Sequence, residues 1–100
     1  MIATIWRFRV RPGKGDAFER AYGPHGDWAR LFARAEGYAG TELLKLQGET
    51  ATYLTIDRWL SAAAWHQAKA ALAEDYAALD RCCEAYTSEE TWLGLHDVQQ

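Results

Sequence analysis

An α+β sandwich, in which helices cover one side of a four-stranded antiparallel sheet, is the fold class this sequence predicts. Three observations lead there. The chain opens on strict two-residue alternation, its middle holds two β-type runs joined by a short polar link, and helical periodicity follows each of these blocks. One hundred residues make one domain, residues 1–100, near the usual size for a single core.

Residues 2–10 place Ile2, Thr4, Trp6, Phe8 and Val10 on one face and Ala3, Ile5, Arg7 and Arg9 on the other, which is a strand. Arg11-Pro12-Gly13-Lys14-Gly15 ends it in a turn. From Asp16 to Tyr22 the residues Ala17, Phe18, Ala21 and Tyr22 keep helical spacing. Gly23-Pro24 breaks that helix, because a proline disfavours helical backbone in the residue before it. A second segment carries Trp28, Leu31, Phe32 and Ala35 on one stripe and stops at Gly37, so a kinked pair of helices is expected.

Gly40 to Leu46 and Thr52 to Trp59 are the two middle strands, and Gln47-Gly48-Glu49-Thr50 between them predicts an antiparallel hairpin. Ser61 is an N-cap for a helix in which Trp65, Ala68, Leu72, Tyr76, Leu79, Cys83 and Tyr86 recur at steps of three and four. An interruption is expected near Ala73-Glu74, and Thr91 to Val98 closes the chain as a last strand. The order β-α-(α)-β-β-α-(α)-β is that of a ferredoxin-like sandwich. Helices cover one face of such a sheet, yet these strands are apolar on both. Leu43 opposes Leu44 and Leu46 across the pleat, and Tyr53 and Trp59 oppose Leu54 and Ile56. A second copy packed sheet to sheet supplies the missing cover, so a homodimer is expected.

A formal charge of −3 argues against a nucleic-acid partner, which asks for a basic surface. An RNA-recognition motif shares this element order but needs a glycine-bearing aromatic strand, and Thr52-Tyr-Leu-Thr-Ile-Asp-Arg-Trp59 has no glycine. Cys82 and Cys83 are adjacent in a helical pattern, where disulfide geometry is rarely met, so they read as reduced thiols of a cytoplasmic protein. The chain runs straight into a strand without a signal peptide, and no apolar run approaches the ~18 residues that cross a bilayer. No membrane contact is expected. Five tryptophans, five tyrosines and three phenylalanines exceed what so small a core hides at about 150–250 Å² each. The surplus belongs to a pocket or an interface.

Three pieces of the chain together carry a family resemblance. They are the opening Ile2-Ala-Thr-Ile-Trp-Arg-Phe-Arg-Val-Arg-Pro-Gly-Lys14, the lead-in Gly37-Tyr-Ala-Gly-Thr-Glu-Leu43 to the second strand, and Tyr53-Leu-Thr-Ile-Asp-Arg-Trp59-Leu-Ser61 at the strand-to-helix junction. In this order and spacing the chain resembles the antibiotic-biosynthesis-monooxygenase-like (ABM) domains of the dimeric α+β barrel superfamily. The resemblance implies a dimer with a pocket in each subunit between helices and sheet. Its members include cofactor-free monooxygenases acting on polyketide quinone precursors, haem-degrading enzymes, small-aldehyde isomerases and proteins without known activity, so it fixes fold better than chemistry. The haem-degrading branch uses a first-strand asparagine, a helical tryptophan and an axial histidine. Here Trp6 stands at the asparagine position, and Ala68 and Ala78 fall near the other two, with Trp65 and His66 out of register. No haem or other cofactor is expected.

Trp6, Trp28 and Trp65 are the candidate walls of a ligand pocket, since each lies on a face that must meet the core; for each, plain core packing is the competing reading. His25, at the Gly23-Pro24 kink, is placed nearest the opening, and Tyr76 is a second polar candidate. His66 and His96 are read as surface residues, and no HxH, HExxH or cysteine-pair spacing points to a metal. Asp57 is expected to pair with Arg7 or Arg9 at the dimer sheet, with a catalytic base as the sharper alternative, and Cys83 reads as a small buried hydrophobe. Two functions stand side by side: a cofactor-independent oxygenase acting on an aromatic or polyketide-like substrate, and a non-catalytic ligand-binding or stress-associated dimer.

Overall fold

The computed structural model describes residues 1–99. Strands β1 (Ile2–Val10), β2 (Tyr38–Lys45), β3 (Thr52–Trp59) and β4 (Thr87–Asp97) form one antiparallel sheet in the order β2-β3-β1-β4. Helices α1 (Gly15–Tyr22) and α2 (Asp27–Phe32) join β1 to β2, and α3 (Ala62–Ala71) and α4 (Ala73–Cys83) join β3 to β4. This is the ferredoxin-like α+β sandwich that the periodicity predicts. Gly23 and Gly26 separate α1 from α2, Leu72 separates α3 from α4, and Ser61 caps α3 by accepting the Ala64 amide at 3.1 Å.

The register decides which side chains meet the helices. Ile2 faces Trp59, Thr4 faces Asp57, Trp6 faces Thr55 and Phe8 faces Tyr53. These β3 partners are all buried, with Tyr53 at 2 % and Trp59 at 0 % exposure. The intervening pairs Ala3–Arg58, Ile5–Ile56 and Arg7–Leu54 belong to the opposite, open face. Phe18, Tyr22, Trp28, Phe32, Leu72 and Cys83 descend from the helices to close the core over the first set.

Three register shifts modify the pleat, one of them at Ser88 between the pairs Glu89–Arg9 and Thr87–Val10. In β2, Ala39 is the extra residue between the pairs Tyr38–Trp59 and Gly40–Arg58. In β4, Leu93 is extra between Gly94–Ile5 and Trp92–Trp6. The Ala39 and Leu93 bulges are each followed by a glycine at positive φ, Gly40 at 120° and Gly94 at 97°, where a side chain would be strained. Strand β4 starts at Thr87, four residues before the Thr91 that alternation marks. Thr87-Ser-Glu-Glu90 is polar, and pairing with β1 holds it extended.

Gly26 sets the corner between α1 and α2. A Cβ there would strike the Arg20 carbonyl oxygen and come 2.6 Å from that of Ala21, both backbone atoms that cannot swing aside. Gly26→Ala should therefore lower the unfolding free energy by about 1–3 kcal/mol, read as a lower urea midpoint at unchanged m-value. An unchanged midpoint would show that the corner relaxes freely.

Candidate functional site

Between the helix-facing side of the sheet and α1, α2 and α4 lies a cavity of about 140 Å³. Six aromatic side chains line it: Trp6 and Phe8 from β1, Tyr22 from α1, Trp28 and Phe32 from α2, and Tyr76 from α4. They hold one another in place. Tyr76 stands edge-on to Trp28 with centroids 4.8 Å apart, Trp28 is 5.9 Å from Tyr22, and Tyr22 is 4.9 Å from Phe8. Cys83 is buried against this wall, where Trp28 Nε1 approaches the Tyr22 hydroxyl and the Cys83 thiol without meeting full hydrogen-bond geometry to either. Burial pushes the Tyr22 phenol and the Cys83 thiol up.

The polar part of the lining is Thr41, Thr55, Asp57, Asp80 and Glu90. Asp57 is the deepest of the acids, only 8 % exposed. Thr41 Oγ1 donates to Asp57 Oδ1 at 2.5 Å, and the Tyr38 hydroxyl lies 2.5 Å from the same Thr41 oxygen. A threonine hydroxyl has one proton, so with that proton on Asp57 the Tyr38 hydroxyl must be the donor to Thr41. The relay Tyr38–Thr41–Asp57 thus points its protons at the carboxylate. Oδ2 has no protein partner among the described residues, which leaves it as the oxygen a ligand can reach.

Burial of Asp57 raises its pKa from 3.8 to about 6, against the lowering effect of Thr41. Burial raises the Tyr76 phenol to about 12, helped by the negative charges of Asp80, Asp57 and Glu90, so it stays protonated at neutral pH. Burial and the nearby Asp80 also raise Glu90. The cavity therefore combines one titratable carboxylate, one protonated phenol and an aromatic wall.

Of the residues singled out from sequence, Trp6, Trp28 and Tyr76 line this cavity, whereas Trp65 and His25 do not. Trp65 lies flat on Trp92 (centroids 5.7 Å, 10° between planes), and Trp92 in turn packs 5.1 Å from Trp6. The β4 bulge puts Trp92 on the side of Trp6, so it intercepts the indole from α3. His25 is exposed and lines a separate shallow depression with Glu19, Arg20, Asp27 and Arg30. His66 lies against the Trp65 ring, and His96 Nδ1 is 3.3 Å from the Gly94 carbonyl oxygen.

The expected pairing of Asp57 with Arg7 or Arg9 is corrected by the register. Arg7 stands opposite Leu54 and Arg9 opposite Thr52, on the open face, while Asp57 shares its face with Tyr53, Thr55 and Trp59. The odd parity of Tyr53, Asp57 and Trp59 was the available signal. Thr41 and Tyr38 were missed because they differ in parity, and only the Ala39 bulge brings them to one face.

The family profile described as antibiotic biosynthesis monooxygenase, ABM, matches residues 1–74. The chain belongs to that family. Among solved structures it is similar to SnoaB of Streptomyces nogalater, a cofactor-independent oxygenase, in its N63A mutant (24 % identity, TM-score 0.73, covering 99 % of this chain and 93 % of that one). It is also similar to the heme-degrader MhuD of Mycobacterium tuberculosis (22 %, TM-score 0.67, 100 % and 97 %) and to PA3566 of Pseudomonas aeruginosa (18 %, TM-score 0.69, 98 % and 94 %). No curated protein matches the chain at a significant level. No helix of the described residues is long and apolar enough to cross a membrane.

A haem does not fit these residues. The described lining has no histidine, cysteine or methionine, Tyr76 is held protonated, and Ala68 and Ala78 supply no ligand atom. The space is also below the roughly 300–1,000 Å³ of pockets for drug-sized molecules. It is near the ~150 Å³ known to hold one benzene ring.

Asp57 gives a pH signature. Its folded pKa is raised, so the native state favours the protonated carboxyl. Its contribution to stability is fully present below about pH 3.8 and is lost as pH rises through about 6. The interval corresponds to about 3 kcal/mol. Urea unfolding of the wild type and Asp57→Asn should converge in stability below pH 4 and diverge by up to that amount at pH 8, the variant being favoured. Parallel pH profiles would contradict a raised pKa.

Proposed function

We propose that this protein is a cofactor-independent oxygenase-type enzyme in which Asp57 is the general base toward a small hydroxyarene. One observation carries the reading: an ionisable carboxylate on the floor of an aromatic cavity, with one oxygen held and the other free. A pKa of about 6 leaves Asp57 ionised at neutral pH while keeping it an effective proton acceptor. The aromatic walls hold the ring flat and exclude water, and the protonated Tyr76 donates toward the oxyanion that develops.

Asp57 Oδ2 takes a proton from the substrate, and the resulting ring anion passes an electron to O₂. Recombination forms a carbon–oxygen bond, and cleavage of the O–O bond leaves one oxygen on the ring and sends the other away as water. Written for a phenol, ring and O₂ give quinone and water. Two hydrogens leave the ring system in the water, and four electrons pass from substrate to O₂. The family membership and the likeness in fold to a cofactor-independent oxygenase support this reading. An oxygen electrode, with one-ring hydroxyarenes as probes, should record O₂ uptake matched by quinone absorbance. Asp57→Asn should lower the rate about 10²–10⁴-fold, and Tyr76→Phe about 10²-fold. Uptake that persists in Asp57→Asn would remove Asp57 from the chemistry.

A ligand-binding protein without turnover is the second reading, and one observation favours it. No lysine, arginine or histidine among the described lining residues stands ready to hold a substrate anion.

The working unit in this proposal is a homodimer formed through the open sheet face. Ile5, Leu54 and Ile56 are half-buried there, and Leu44 is 45 % exposed, with Arg58 and Glu42 ion-paired beside them. Light scattering should give the mass of two subunits, and Ile56→Glu should halve it or prevent folding. A one-subunit mass for the wild type at micromolar concentration would defeat the dimer.

A further inference from the structure

We propose that the molecule this cavity accepts is a cation: a single aromatic ring bearing a protonated amine, its ring between Trp6 and Trp28 and its ammonium group toward Asp80 and Glu90. The inference rests on the cavity proposed above as the functional site and names the chemical class that enters it. All three ionisable carboxyls of the lining are acidic side chains of one sign, Asp57 from β3, Asp80 from α4 and Glu90 from β4, and they converge from separate elements. Their mutual influence is visible in Tyr76, whose phenol all three disfavour ionising, and in Glu90, which Asp80 holds up.

Two arginines of the neighbouring helical segment are committed elsewhere. Arg30 is ion-paired with Asp27, and Arg34 bonds Asp75 at 2.8 Å, so neither compensates the cavity. The aromatic walls add the second half of the argument. Ring faces are electron-rich and attract ammonium groups, an effect that grows when water is excluded. One wall already does this from outside the lining: Lys69 Nζ lies 5.3 Å from the Tyr76 ring centroid and 5.2 Å from that of Trp65. Six aromatic rings, the buried Asp57 and the exposed Asp80 and Glu90, with no basic side chain among the described lining residues, form a site that favours a cation and repels a carboxylate.

The same charge balance bears on turnover. Proton transfer to Asp57 leaves a ring anion beside Asp80 and Glu90, and the described lining residues offer it no positive side chain. A substrate that brings its own ammonium group removes that difficulty, because the intermediate is then a zwitterion. The three carboxylates cease to oppose the chemistry and become the device that selects its substrate.

Three one-ring phenols of matched size test this: tyramine as the cation, 4-ethylphenol as the neutral probe and 3-(4-hydroxyphenyl)propionate as the anion, each titrated calorimetrically into the full chain. Tyramine should bind at least about tenfold more tightly than 4-ethylphenol, and the propionate more weakly than either. Added salt should erode the tyramine advantage and leave 4-ethylphenol unmoved. Asp80→Asn combined with Glu90→Gln should bring tyramine down to the neutral probe, and the single variants stand in should the double one not fold. Equal binding of tyramine and 4-ethylphenol, tighter binding of the propionate, or no binding by any probe overturns the inference. Its failure is separable from that of the oxygenase reading. A tyramine preference without O₂ uptake on any hydroxyarene sinks only the enzyme, and O₂ uptake without the preference sinks only the charge selection.

Discussion

An aspartate that must be buried among aromatic rings is the constraint around which the rest of this structure is arranged. An unpaired carboxylate taken from water costs several kcal/mol, and a protein tolerates it only by hydrogen bonding or by letting it protonate. Here both occur in part. Thr41 donates to Oδ1, and the pKa settles at about 6, between full charge and neutrality. Tyr38 donates to Thr41 in turn, and the two share a face because β2 gains a residue at Ala39. One irregularity of the backbone thus supports a chain of hydrogen bonds that ends at the cavity.

The aromatic wall does the complementary work. Phe18 stacks on Tyr22 with centroids 4.2 Å apart, Phe8 meets both, and Tyr53 backs Phe18 while donating to Glu19. Pairs of this kind are worth about 0.5–1.5 kcal/mol each beyond their buried area. They also fix ring planes, so that α1 and α2 present a rigid surface although each is short. The glycine corner at Gly26 brings Trp28 over the sheet, and Arg34, two residues past α2, bonds Asp75 of α4, which carries Tyr76. The indoles of Trp65 and Trp92 extend this packing towards β4, where Trp92 remains 40 % exposed.

Much of this fold is legible in the residues, and the reasons are local. Alternation over Ile2–Val10 and the β-type run Thr52–Trp59 are local signals, and the strand limits follow to the residue. The Ser61 cap and the Gly23-Pro24 break are short-range chemistry and equally readable. The cavity is readable only in part. Trp6 and Tyr76 sit where their periodicity puts them, but Trp65 is displaced by a register shift in β4 that alternation does not encode. Parity alone places Asp57 with Tyr53 and Trp59, whereas a preference for pairing acids with bases points to Arg7 and Arg9 on the wrong face. A glycine inside a strand pattern, as in Tyr38-Ala39-Gly40, signals a bulge but not what the bulge will bring together.

The energetics of Asp57 explain why such an arrangement points to function. Domains of this size are stable by about 5–15 kcal/mol, and an ionised Asp57 opposes folding by about 3 kcal/mol at neutral pH. An asparagine at this position would keep an acceptor for Thr41 without the charge. A core selected for stability alone has no use for the carboxylate of Asp57, which is 8 % exposed. Local conflict of this kind, set inside an otherwise self-consistent packing, is where a fold gives up stability for chemistry. The cost of ionising Asp57 in the empty cavity would be offset by a ligand that brings a positive charge close to it, because anything that binds the folded state alone stabilises it.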